Sequence, residues 1–117
     1  MSDLTTISTH VLDTALGEPA AGIPVTLERL DGSGAAIVLA SSVTDAHGRV
    51  AAFVPTDGAL HGGSYRLCFT VADYFAATRR VSFYSDICIA FQVSDDPQHY
   101  HVPLLLSPFG YSTYRGS

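Results

Sequence analysis

Apolar and polar side chains alternate along this chain in short period-two runs, broken by Gly, Pro and Asp. In S-T-H-V-L near the start, Thr9 and Val11 take one face and His10 and Leu12 the other. A second run puts Ile23, Val25 and Leu27 opposite Thr26 and Glu28, so Pro24 belongs at its start or on an edge. D-G-S-G at 31–34 predicts a turn, and A-A-I-V-L-A-S-S-V-T returns from it. T-D-A-H-G-R-V puts His47 and Gly48 in another turn with Arg49 just past it, and V-A-A-F-V-P then runs into a loop, T-D-G-A-L-H-G-G. Tyr65, Leu67, Phe69 and Val71 share one face of the next run. Ile87, Ile89, Phe91 and Val93 do the same after it, opposite Cys88, Ala90 and Gln92. Only D-Y-F-A-A-T-R-R, residues 73–80, reads as helix, of two turns at most and packed by Tyr74 and Phe75. The last strand begins near His99, and Pro103 inside it signals an edge or a departure from the ladder.

These elements predict one domain over residues 1–117, an all-β, antiparallel two-sheet sandwich with one short helix. Val102, Leu104, Leu105, Leu106, Phe109, Tyr111 and Tyr114 carry more apolar surface than a frayed end leaves in water, so the C-terminal stretch is expected to be tied into the fold.

Hydrophobic residues make up 47% of the chain and charged residues 15%, an apolar excess that hints at an oligomer. The net charge is −5 with no basic run, which argues against a nucleic-acid surface. The chain has no lysine, so Arg29, Arg49, Arg66, Arg79, Arg80 and Arg115 supply every cationic side chain, and lysine chemistry is excluded. Its apolar stretches fall short of the roughly 20 residues a membrane helix needs. No signal-peptide pattern opens the chain, and Cys68 and Cys88 lack C-x-x-C spacing. Reduced structural core thiols in a cytoplasmic protein are therefore expected.

Five histidines offer chemistry. His47 and His61 fall in turns, where a solvated imidazole is the simplest expectation. A lone strand histidine such as His10 is most often structural. His99 and His101 share a face, a spacing that suits a metal, but no H-E-x-x-H, cysteine pair or carboxylate cluster completes a ligand set. A catalytic imidazole would need a nearby charge stabiliser. No G-x-S-x-G elbow or Gly-rich phosphate loop is present.

The stretch H-Y-H-V-P-L-L-L-S-P-F-G-Y-S-T-Y-R-G-S closely resembles the C-terminal signature of the transthyretin-related 5-hydroxyisourate hydrolase family. S-T-H-V-L-D-T-A-L-G-E-P-A and D-A-H-G-R resemble that family's other two motifs, in the same order. Ser85 stands where the family commonly has proline, and no tryptophan precedes Thr44. Both departures concern loop shape and leave the three motifs intact.

The resemblance implies a transthyretin-like sandwich assembled as a homotetramer, a dimer of dimers with active sites where the dimers meet. It implies hydrolysis of 5-hydroxyisourate, with no metal or organic cofactor. Its catalytic groups fall on His10, Arg49 and His101, and its terminal tetrapeptide, expected to bind substrate, on Tyr114, Arg115, Gly116 and Ser117. Arg115 alternatively holds the tail in place, and His99 is structural or at most supports the catalytic pair. The competing function is a transthyretin-like small-molecule carrier or another binding module. An adhesion-type sandwich would not need an arginine and two histidines from three distant segments, and a carrier would gain nothing from Y-R-G-S.

Overall fold

Two sheets packed face to face account for all the alternating runs. The computed structural model describes residues 4–53 and 60–117. In chain order the elements are β1 (Thr6–Asp13), β2 (Glu18–Pro19), β3 (Pro24–Leu30), β4 (Ala36–Val43), β5 (Arg49–Val50), β6 (Gly63–Thr70), α1 (Ala72–Ala77), β7 (Asp86–Val93), β8 (His99–Ser107) and β9 (Gly110–Thr113). The first sheet runs β2-β1-β8-β9, with β5 pairing beside β2 along β1; the second runs β4-β3-β6-β7. Of the loop expected over 56–63, residues 56–59 lie outside the described residues, as do positions 54 and 55 of the preceding run.

The sandwich is antiparallel except at one pair, because β1 and β8 run parallel in register from Thr6↔His99 to Asp13↔Leu106. Ile7, Val11, Tyr100, Val102, Leu104 and Leu106 from the first sheet bury against Val25, Leu27, Tyr65, Leu67, Phe69 and Ile87 from the second. Pro24 opens β3, as its missing N–H requires.

Pro103 sits inside β8 between two neighbours, yet the ladder does break there. The Pro103 carbonyl accepts the Thr113 hydroxyl and the His101 carbonyl accepts the Gly116 N–H, so the tail side of β8 is the side where Pro103 has no donor. Regular β8–β9 pairing ends at Leu104↔Thr113, and contact resumes as a single bridge, His101↔Gly116. Residues 114 and 115 span the gap.

Cys68 and Cys88 are not core thiols: Cys68 is half-buried and Cys88 exposed. On β6 and β7 the inward parity belongs to Leu67, Phe69 and Ile87, which leaves both cysteines on the outer face. No helix among the described residues is long and apolar enough to cross a membrane.

The short helix is held by a buried ion pair. Arg79 takes φ +59 after the last turn, with its N–H on the Ala76 carbonyl and that of Arg80 on the Phe75 carbonyl, a Schellman-type end that usually employs glycine. This turn aims Arg80 at Asp13. The fully buried Asp13 carboxylate accepts from Arg80 Nη2 at 2.6 Å, from the Tyr74 hydroxyl at 2.7 Å and from the N–H groups of Ala15 and Leu16 at 3.1 Å. Burial alone would push this carboxyl up, but the hydrogen bonds from Arg80, Tyr74 and Leu16 and the Arg80 charge together hold it below the usual range. A depressed carboxylate stabilises the fold above its unfolded value, and the contribution is lost as pH falls through the folded one.

Asp13→Ala is expected to cost about 3 kcal/mol or more at pH 7, since it strands the Arg80 guanidinium. The gap to the parent protein should narrow below about pH 4, where the parent also loses the contribution. Denaturant melts at both pH values check this, and an equal gap at both would remove the charge from the explanation.

Candidate active site

The outer face of the first sheet collects the chemistry-bearing residues. Thr9 and Val11 face the core, so Thr6, Ser8 and His10 face outward. Parallel register sets His99 beside Thr6 and His101 beside Ser8, and β5 sets Arg49 beside His10. Residues from three distant segments thereby share one patch.

The turn of D-A-H-G-R is built to deliver Arg49. Asp45 Oδ1 accepts the N–H groups of His47 and Arg49 at 2.9 and 3.0 Å, and Gly48 takes φ +76. A Cβ on Gly48 would lie 2.4 Å from the Val11 carbonyl oxygen, so only glycine lets β5 close on β1. His47 contributes its backbone: His10 Nε2–H donates to the His47 carbonyl at 2.9 Å, so Nδ1 is the nitrogen free to exchange a proton.

His99 and His101 are linked through hydroxyls. Ser8 Oγ lies 2.7 Å from His101 Nδ1 and 2.9 Å from His99 Nε2, and Thr6 Oγ1 lies 2.6 Å from His99 Nδ1. Ser8 has one proton to give, so the array has two orders. In one, His101 Nδ1–H donates to Ser8, Ser8 to His99 Nε2, and His99 Nδ1–H to Thr6, leaving a lone pair on His101 Nε2. In the reverse order His101 Nε2 carries the proton. When Nε2 takes up a proton from outside and the array passes one along to leave at Thr6, this nitrogen turns from base to acid with no change in net charge.

Burial, then the charges of Arg49, His99 and His10, hold the His101 imidazole below its ordinary value of 6.5, so it is neutral near pH 7. It borders an open cavity of about 320 Å³ with Ser8, Arg49, His99 and Ser117. Three of the four ring nitrogens of the H-x-H pair are committed to hydroxyls, an arrangement that suits proton transfer better than chelation.

The sequence-predicted residues separate into two places. Arg49, His101 and Ser117 border the cavity, and His10 lies one outward position along β1 from Ser8. Gly116 packs close against the His101 side chain: a Cβ there would lie 2.5 Å from Cδ2. Tyr114 and Arg115, expected to bind substrate with them, instead line a separate groove of about 240 Å³ with Phe91, Tyr100 and Val102. The gap at Pro103 turns them away, and Arg115 stacks 4.5 Å over Tyr100 and donates to Gln98, holding the tail. Ser8 and Thr6 were missed. Their signal is the period-two spacing to His10, which becomes informative only once β8 is known to lie alongside.

A model of the HIUase/Transthyretin family matches residues 7–116. A 5-hydroxyisourate hydrolase of Deinococcus radiodurans is 46% identical over 114 residues, 95% of each chain. The solved 5-hydroxyisourate hydrolase of Klebsiella pneumoniae superposes with TM-score 0.82 at 41% identity, covering 97% of this chain and 100% of that one. Sea bream transthyretin, solved in complex with thyroxine, gives TM-score 0.85 at 26% identity over 94% and 93% of the two chains.

Arg49→Gln removes a cation from beside His101 and is expected to move that imidazole's titration midpoint up toward 6.5. Histidine NMR titration of parent and variant checks it; an unmoved midpoint would detach Arg49 from His101.

Proposed function

The chain belongs to the HIUase/transthyretin family, and from that premise we propose that it hydrolyses 5-hydroxyisourate to 2-oxo-4-hydroxy-4-carboxy-5-ureidoimidazoline in urate breakdown. The observation that carries this proposal is the hydroxyl-linked array His99–Ser8–His101 beside Arg49, an acid/base device next to a fixed cation. Neutral His101 takes a proton at Nε2 from water as the water oxygen attacks a ring carbonyl. Arg49 presents several donors in one plane to the flat, acceptor-rich substrate and to the oxyanion that develops. As the adjacent C–N bond breaks, the leaving nitrogen takes the proton back from the array. His10, pinned by the His47 carbonyl, shares the acid/base work, and Ser117 completes the pocket. A carrier would have no use for an array whose protons can shift past a half-buried neutral imidazole.

The same reading extends to assembly and place. The patch faces outward from the sheet, and β7 and β9 end their sheets as edges, with Val81, Phe83 and Phe109 exposed. A homotetramer, a dimer of dimers with the clefts where the dimers meet, would cover these edges and close the cavity. The compartment is the cytoplasm, where thiols stay reduced.

Freshly generated 5-hydroxyisourate is expected to decay faster with the protein than alone. His101→Ala and His10→Ala should each lose roughly 10²–10⁴-fold in turnover while staying folded. His47→Ala, which keeps the carbonyl that holds His10, is expected to be near normal, and damage equal to that of His101→Ala would refute the assignment. In the parent, kcat/KM should rise with pH through a midpoint below 6.5 as His101 loses its proton.

Gly116→Ala is expected to lift the tail off His101 and cost about tenfold or more in turnover, a small misplacement of a positioned group. Sedimentation of this variant should match the parent, and full activity in it would reduce the tail contact to packing.

A further inference from the structure

Cys68 and Cys88 face each other directly across β6 and β7, on the sheet that carries none of the cleft. The Val71 N–H donates to the Ser85 carbonyl, one step beyond the ladder and in the same register, so the hydrogen-bonded pairs fall on odd positions of β6. Cys68↔Cys88 is therefore a non-hydrogen-bonded pair, the type in which Cα atoms come within about 4.5 Å and side chains lie closest. That separation falls in the roughly 4.4–6.8 Å a disulfide spans. Both thiols are free, Cys68 half-buried and Cys88 open to solvent.

We propose that Cys68 and Cys88 form an oxidation site, which a peroxide converts into an intramolecular cross-strand disulfide. Cys88, the exposed thiol, reacts first. Its sulfur attacks one peroxide oxygen, the O–O bond breaks, and the departing oxygen leaves as water with the proton Cys88 gave up. The sulfenic acid formed on Cys88 is then attacked by the Cys68 sulfur. The S–O bond breaks, and the hydroxide leaves with the Cys68 proton as a second water. Two thiols and one peroxide become one disulfide and two waters; the sulfur pair loses two electrons and the peroxide gains them. The division of roles follows the surroundings. Burial and the Cys88 contact push the Cys68 thiol up to about 12, so the more buried sulfur is the second to react.

The new bond would close the segment from 68 to 88, which contains α1 and the Arg80 clamp, and so constrain the unfolded chain. The experiment treats the reduced full-length protein with hydrogen peroxide and follows it by peptide mapping under denaturing, non-reducing conditions and by thermal melts. The expected result is a Cys68–Cys88 crosslink within one chain, a melting temperature raised by roughly 5–10 °C, and reversal by dithiothreitol. Cys68→Ser is expected to accumulate a sulfenic acid on Cys88 that dimedone traps, and Cys88→Ser to leave Cys68 unmodified at the same dose. Both thiols still open to alkylation, a crosslink between chains, or a sulfinic acid in place of the disulfide would each overturn the proposal.

Discussion

The parallel ladder between β1 and β8 is the constraint on which the rest of the molecule depends. It lies at the centre of the first sheet, buries Ile7 and Val11 with Val102 and Leu104 on one side, and sets the histidines in rows on the other. Because side chains alternate with period two, a slip of one residue would drive His99 and His101 into the core and expose Tyr100 and Val102. The apolar face thus fixes the polar face. Burying a tyrosine and a valine holds the Ser8 hydroxyl between two imidazoles more firmly than three hydrogen bonds on an open surface would.

Much of this was legible in the chain. Alternation exposed β1, β3, β6, β7 and β8 because each has one face on the core, and the helix was visible because Tyr74 and Phe75 interrupt that alternation. Three strands escaped: β2 and β5, since two residues carry no period, and β9, which the sequence does not set apart from β8. Parallel pairing also escaped, because alternation reports which face is buried and not the direction of the neighbour. That single unknown hid the part played by Ser8 and Thr6, whose partners lie more than 90 positions away.

The residues that the motifs single out, His10, Arg49 and His101, lie on one patch, whereas the tail, carried over as a unit, divides. Local chemistry divides it. Pro103 withholds one donor, the strand pairing fails there, and Tyr114 and Arg115 leave for a groove while Gly116 and Ser117 return to the cavity. For the cysteines, strand-like surroundings suggested burial, whereas the face was decided by parity against Leu67 and Ile87.

The span of the β1–β8 pairing has a consequence for how the protein comes into being. β3, β4, β6 and β7 join neighbours of modest sequence separation and can pair as soon as each has been synthesised, but β1 must wait for a strand whose contacts lie 93 residues downstream. Closing so long a loop is slow, and a nascent chain on the ribosome holds the β8 edge of its first strand open until almost its last residues emerge. The cleft is therefore completed last, and a chain interrupted before residue 99 lacks both its histidine pair and the ladder that sets Ser8 beside it.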